Sequence, residues 1–193
     1  IENIFKNNIP LIVVSNALGE DIQKFIGVDQ RDFYVVPNVV DVKTYKYLPK
    51  TNMNDDFVFS SINNWNPMKN PFVLIRAFRL MANNYDNVRL ILGGTGKIIT
   101  EMKTLVEELD LEKIVKFTGR LTKGEIVETF KQSNIYCQSS NYETFSVICA
   151  EALISGAPVI AHNVGGMKDF ISEDNGALVD DLSVESWFLA MEV

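Results

Sequence analysis

The sequence predicts an α/β fold, a parallel sheet covered by helices on both faces. Three observations carry that prediction. From Phe57 onward, short apolar runs alternate strictly with helical patterns of about 10 to 15 residues. The runs are near-continuously apolar rather than apolar at every second residue, as strands buried on both faces must be. With 47% apolar content over 193 residues, the chain can bury the core of one domain of ordinary size.

Taken in order, residues 1 to 48 hold two apolar runs, Leu11 to Val14 and Phe33 to Val36, with a helix expected between them from Ala17 to Ile26. The polar run from Pro49 to Asp56 reads as a linker. Strands are then expected at Phe57 to Ile62, Arg89 to Leu92, Ile114 to Phe117, Ile135 to Gln138, Pro158 to Ala161 and Ala177 to Val179. Asn70 and Pro71 read as the N-cap and first turn of a helix running to about Asn84. Thr122 with Glu125 makes a capping box for a helix through Gln132, and Ser183 opens a last helix. The chain begins without Met and stops inside that helix, so the expectation is a fragment. Ligands of doubly wound sheets sit off the carboxyl ends of the strands. Residues 63–69, 93–96, 118–121, 141–146 and 163–167 are therefore expected to converge on one crevice.

Composition excludes several classes. Net charge is −7, with 18 basic residues scattered along the chain, which argues against a nucleic-acid footprint and for small-molecule or protein partners. No apolar run approaches the ~18 residues of a transmembrane segment, and the start lacks a signal peptide's layout, so a soluble, cytoplasmic protein is expected. Cys137 and Cys149 lack CxxC or histidine spacing and read as core residues. Gly94-Thr95-Gly96 fails as a dinucleotide fingerprint, because the third Gly is Ile99, and as a P-loop, because Lys97 is followed by Ile98. The tight turn reads as structural, letting backbone approach a ligand. His162, the single histidine, reads as a satisfied loop residue.

The most informative stretch runs from Ser139 to Gly166. A strand enters a polar turn holding Glu143, the turn opens a small-residue helix holding Glu151, and Gly156 with Pro158 ends that helix before a second strand. At 100° per residue Glu151 shares a face with Val147, Ile148 and Ile154, so its carboxylate needs a partner.

The segment ETFSVICAEALISGAPVIAHNVGGMKDFI resembles the signature of retaining glycosyltransferase family 4: two Glu separated by seven residues, a Gly-x-Pro, a Gly-Gly loop and an acidic residue, here Asp169. VVSN, VVPNVVD, LILGGTG, VKFTGRL and NGALVDD follow the family's order along essentially the whole chain. Such enzymes have two Rossmann-like domains facing a cleft, the GT-B fold. The resemblance implies that residues 57 to 193 are a truncated donor-binding domain, 49 to 56 the linker, and 1 to 48 the tail of an N-terminal acceptor domain. It implies a nucleotide-sugar donor, an acceptor bound by the missing domain, no cofactor, and inactivity of the fragment alone. The chain also has no Asp-x-Asp pair of the kind by which another glycosyltransferase class holds a metal.

Roles follow by position. Lys69 matches the family's lysine on the leaving diphosphate, and Glu143 the acid beside the transferred sugar; these two are the expected catalytic residues. Glu151 matches the acid on the ribose hydroxyls. The first-turn amides from Thr144 through Phe145 and Ser146 to Val147 would face the diphosphate, with Asn64, Gly94, Arg120 and Leu121 completing the donor site. Three departures stand out. Asn64 replaces the arginine that usually accompanies Lys69, Thr144 and Ser146 replace glycines, and Val39 replaces the glycine between Asn38 and Asp41. The glycine replacements in the helix turn read as mild. Left-handed backbone at Val39 would be strained, although an ordinary turn serves equally. Asn64 leaves room for compensation by Arg120 or for a silent scaffold. A nucleotide-sugar epimerase or hydrolase of the same fold is the enzymatic alternative. Gly165 and Gly166 suit a loop pressed against a ligand.

Overall fold

The computed structural model describes residues 10–27, 33–47, 49–50 and 56–192. Residues 51–55 of the expected linker, and residues 1–9, lie outside the described residues. Two short strands, β1 (Leu11–Val13) and β2 (Phe33–Val35), pair in parallel around helix α1 (Asn16–Ile26). A separate six-stranded sheet follows, formed by β3 (Phe57–Ile62), β4 (Val88–Gly93), β5 (Val115–Gly119), β6 (Ile135–Gln138), β7 (Val159–His162) and β8 (Gly176–Val179). Its order is β5-β4-β3-β6-β7-β8 and every pairing is parallel. The chain winds outward from β3 to β5, then returns to place β6 on the other side of β3. The winding direction therefore reverses between β3 and β6, where a crevice opens at the carboxyl ends.

The crossovers are helices α2 (Pro71–Asn84), α3 (Ile99–Glu108), α4 (Lys123–Gln132), α5 (Val147–Ile154) and α6 (Val184–Met191). Two apolar clusters form, one per face of the sheet. Leu74, Phe78, Met102 and Trp187 from α2, α3 and α6 pack with Phe59 and Leu90. Phe130, Cys149 and Ala152 from α4 and α5 pack with Tyr136 and Val159. Strand β6 shows the cause: Ile135 and Cys137 enter the first cluster and Tyr136 the second, as a two-residue side-chain period requires.

The capping box of α4 is complete, with Thr122 N–H donating to Glu125 Oε2 at 2.7 Å and Glu125 N–H to Thr122 Oγ1 at 3.4 Å. Ser183 caps α6 by accepting from Ser186 N–H at 3.1 Å. Asn70 departs from its expected role. It stands before Pro71, but its backbone is left-handed (φ 41°, ψ 56°) and its side chain caps nothing in α2. It also closes a preceding 3-10 turn, Pro67–Lys69, and its side-chain amide donates to Asn141 Oδ1 at 3.3 Å, joining the loops after β3 and β6. Val39 is 92% exposed and is not among the left-handed residues, so no strain arises there. Ser146 does carry strain: it takes φ 67°, ψ 80° where a glycine would be free of cost. That replacement is less mild than the sequence suggests.

Left-handed backbone costs a non-glycine residue about 1–2 kcal/mol, and a glycine loses about 0.5–1 kcal/mol through its freer unfolded chain. Ser146→Gly is therefore expected to stabilise the chain by about 0.5–1 kcal/mol, read as a higher urea midpoint with an unchanged slope.

Candidate functional site

The crevice between β3 and β6 brings together the two residues expected to be catalytic. Lys69 ends the 3-10 turn after β3, and Glu143 lies in the loop between β6 and α5. Lys69 Nζ stands 2.5 Å from Glu143 Oε1, with side-chain exposures of 22% and 12%. The same oxygen accepts from Gln138 Nε2 at 3.0 Å and Ser140 Oγ at 2.8 Å. All three donors converge on Oε1, which leaves Oε2 able to accept from a ligand. Gln138 is fully buried, and Tyr136 donates to its Oε1 at 2.9 Å. Gln138 and Ser140 were not singled out in the sequence. The signal was there: Gln-Ser-Ser closes an otherwise apolar strand, and buried polar side chains need partners.

Helix α5 begins beside this pair. Ser146 occupies its N-cap but its side chain makes no capping hydrogen bond, so the amides of the first turn lack the usual side-chain cap and are available to an anion. Phe145 is 8% exposed and stacks on Phe170 with ring centroids 5.0 Å apart, anchoring the turn. Thr144 and Val147 are exposed. Gly165 lies at φ 55°, and a Cβ there would stand 1.6 Å from Glu143 O. The Gly-Gly loop thus presses on the chain's own backbone, and Gly166 N–H donates to Glu143 O at 3.2 Å. Gly94 behaves alike: a Cβ would stand 2.0 Å from Asn63 O.

Glu151 needs a different account from the sequence's. The face it shares with Val147, Ile148 and Ile154 is half open, with Val147 37% exposed, while Cys149 and Ala152 form the buried side of α5. The Tyr45 phenol, on a residue sequence reasoning passed over, lies close enough for the two groups to shift each other's titration. Burial pushes the Glu151 carboxyl up; the Tyr45 hydrogen bond and the Lys123 charge pull it down, and Asp41 pushes it up. The Tyr45 phenol is raised to about 12, by burial first and then by the Glu151 charge. The signal in the sequence was Asp41 with Thr44, a turn-forming pair just before an aromatic residue.

The remaining predicted residues are dispersed. Asn64 is exposed and its side chain has no partner among the described residues, so no positive charge stands at that position. Arg120, also exposed and unpaired among them, follows edge strand β5, two strands or about 10 Å from β3. Leu121 packs against the second apolar cluster. His162 is satisfied, its Nδ1 donating to Ser140 O at 2.9 Å. Cys137 and Cys149 are fully buried and unbridged; burial raises both thiols, that of Cys149 to about 12. Among the described residues no three His, Cys, Asp or Glu side chains gather as a metal site, and no helix is long and apolar enough to cross a membrane.

The family model described as Glycosyl transferases group 1 matches residues 45–192. Among curated relatives, a D-inositol 3-phosphate glycosyltransferase of Corynebacterium glutamicum is 32% identical over 137 residues, covering 67% of this chain and 33% of that protein. One from Kineococcus radiotolerans is 26% identical over 207 residues, covering 94% of this chain and 48% of its own. The match thus spans between a third and a half of these two proteins. The fold is shared with a sucrose-phosphate synthase from Thermosynechococcus elongatus (TM-score 0.81, 22% identity, 95% of this chain and 48% of that one). It is also shared with Anabaena HepE, solved in complex with UDP and glucose (TM-score 0.78, 23% identity, 94% and 52%).

Two outcomes are expected. A double-mutant cycle of Lys69→Met and Glu143→Gln, read by urea unfolding, should give a coupling of about 1–2 kcal/mol, above the ~0.2–1 of exposed pairs. Because burial raises the Glu151 carboxyl when folded, its ionised form weakens the fold above that raised value. The penalty vanishes as pH falls below the ordinary 4.5. Glu151→Gln should therefore melt higher than the parent at about pH 7 and together with it at about pH 3.5.

Proposed function

The chain belongs to group 1 of the glycosyl transferases, and from that premise we propose that it is the donor-binding half of a retaining, family 4 enzyme with a GT-B arrangement. Residues 57 to 193 hold a nucleotide-diphosphate sugar, residues 49 to 56 act as linker, and residues 1 to 48 belong to a domain that binds the acceptor. Several features support this reading. The Lys69–Glu143 pair lies at the β3/β6 reversal beside the uncapped start of α5, and this observation carries the proposal. Lys69 can donate to a diphosphate while keeping Glu143, since an ammonium has three protons. Negative charge grows on the leaving oxygen as the glycosidic bond breaks, and a fixed ammonium with a helix N-terminus stabilises it there. Those two sources of positive charge support transfer without a metal or other cofactor. Glu143 Oε2 is placed to accept from a sugar hydroxyl, and Glu151, on the half-open flank of α5, from the ribose. Gly94, Arg120 and Leu121, on the loops after β4 and β5, complete the donor site. Asn64 favours a second reading, a scaffold of the same fold that no longer transfers.

The test is binding. Saturation-transfer NMR without metal should detect UDP, GDP or ADP in preference to NAD; a strict magnesium requirement or a preference for NAD sinks the proposal. In calorimetry, Glu151→Gln should lose roughly 1.5–3 kcal/mol of nucleoside diphosphate affinity, while Glu143→Gln, which would touch the sugar, should leave it nearly intact.

A further inference from the structure

Gln138 ends strand β6, and its side chain is fully buried beneath Glu143. A buried amide with partners of both kinds has one orientation that satisfies them. Here Oε1 accepts from the Tyr136 hydroxyl at 2.9 Å and from Asn63 Nδ2 at 3.3 Å. That turns Nε2 toward Asn63 Oδ1 at 3.0 Å, Ser140 Oγ at 2.7 Å and Glu143 Oε1 at 3.0 Å. Ser140, also buried, donates in turn to the same Glu143 oxygen at 2.8 Å. Two of the three donors on Oε1 therefore come from the interior and have little freedom left to lose. The third, Lys69, reaches in on a long, flexible side chain from the 3-10 turn after β3.

This asymmetry bears on what Lys69 can do. A carboxylate held by an ammonium alone is drawn along when the ammonium moves to another anion, and its own charge then repels that anion. A carboxylate held by fixed neutral donors as well keeps its place. We propose that Gln138 is a positioning residue of the donor site: it anchors Glu143 Oε1 from below, so that Lys69 can give its other protons to a diphosphate without drawing the carboxylate toward it. This rests on the assignment of Lys69 to the diphosphate. An amide suits the task because it is neutral. It fixes the carboxylate without adding a charge that would compete with Lys69 for Glu143 or repel the ligand. Being buried, Gln138 acts through Glu143 alone.

The experiment titrates the 193-residue chain with UDP and, to remove dependence on the base, with inorganic pyrophosphate, followed by NMR chemical shifts. The chains compared are the parent, Gln138→Met, Glu143→Gln, the double variant and Lys69→Met. Gln138→Met keeps the length of the side chain and loses the amide. It should weaken binding of both ligands roughly three- to tenfold. Adding Glu143→Gln should restore parental affinity to within about twofold, because the charge that was set loose is gone. Damage to the packing beneath the site would not be mended by that change. If Gln138→Met fails to fold, Tyr136→Phe, which frees the amide to turn its oxygen toward Glu143, should show the same loss and the same restoration. Parental affinity in the variant, or a loss that Glu143→Gln leaves in place, overturns the proposal with the diphosphate assignment intact. Lys69→Met with parental affinity, or a parent that binds neither ligand, overturns both.

Discussion

The ion pair between Lys69 and Glu143 is the contact on which the site depends, because it joins the two loops that the winding of the sheet leaves facing each other. Strands β3 and β6 are neighbours in the sheet, but the residues they lead into are 74 apart in sequence. A single bond does not hold loops of that separation in register. Here it is backed by the side-chain bond between Asn70 and Asn141, by Asn141 N–H donating to Met68 O at 2.8 Å, and by Ser139 Oγ donating to Asn70 O at 2.9 Å. The base beneath Glu143 is polar and closed. Gln138 accepts from the Tyr136 hydroxyl and donates to Asn63 Oδ1, which fixes rotamers where apolar packing alone would leave slack.

A site that binds an anion needs positive charge without a countercharge that cancels it. Lys69 is partly neutralised by Glu143, so the uncapped amides of α5 matter as the second source. They are exposed to that use because Ser146 adopts a left-handed conformation and its hydroxyl turns instead to Cys149 Sγ, at 3.2 Å. Backbone strain, an absent cap and an aromatic anchor at Phe145 therefore belong to one feature. Strain of this kind persists where surrounding contacts over-determine the backbone, and Gly166 N–H bonding to Glu143 O is one such contact.

The two-stranded piece at the start of the described chain is also tied to this region. Asp169 Oδ2 accepts from Asn16 N–H at 2.8 Å at the start of α1, and Tyr142 donates to Asp21 at 3.0 Å. The β1-α1-β2 unit thus reaches the loops after β6 and β7 through side chains on the surface. Tyr45 reaches the back of α5 from the same part of the chain. Residues outside the six-stranded sheet complete the surroundings of residues within it.

The sequence by itself determined the sheet, because near-continuous apolar strands separated by amphipathic helices have one stable arrangement, parallel and covered on both faces. It determined the helix starts where a local rule applies, as at Thr122 and Ser183. The spacing of Glu143, Glu151 and Lys69 was visible too, since a short motif keeps its order along the chain. What only the tertiary structure decided were relations across long separations. The pairing of Lys69 with Glu143, the exposure of the flank that carries Glu151, and the burial of Tyr45 against α5 each depend on how elements pack. Asn70 and Gly165 show the same limit: one leaves its cap and the other presses on Glu143 because of loops that are distant in sequence. Local propensity acts over a few residues, whereas the contacts that orient a site are made by packing, which no window along the chain contains.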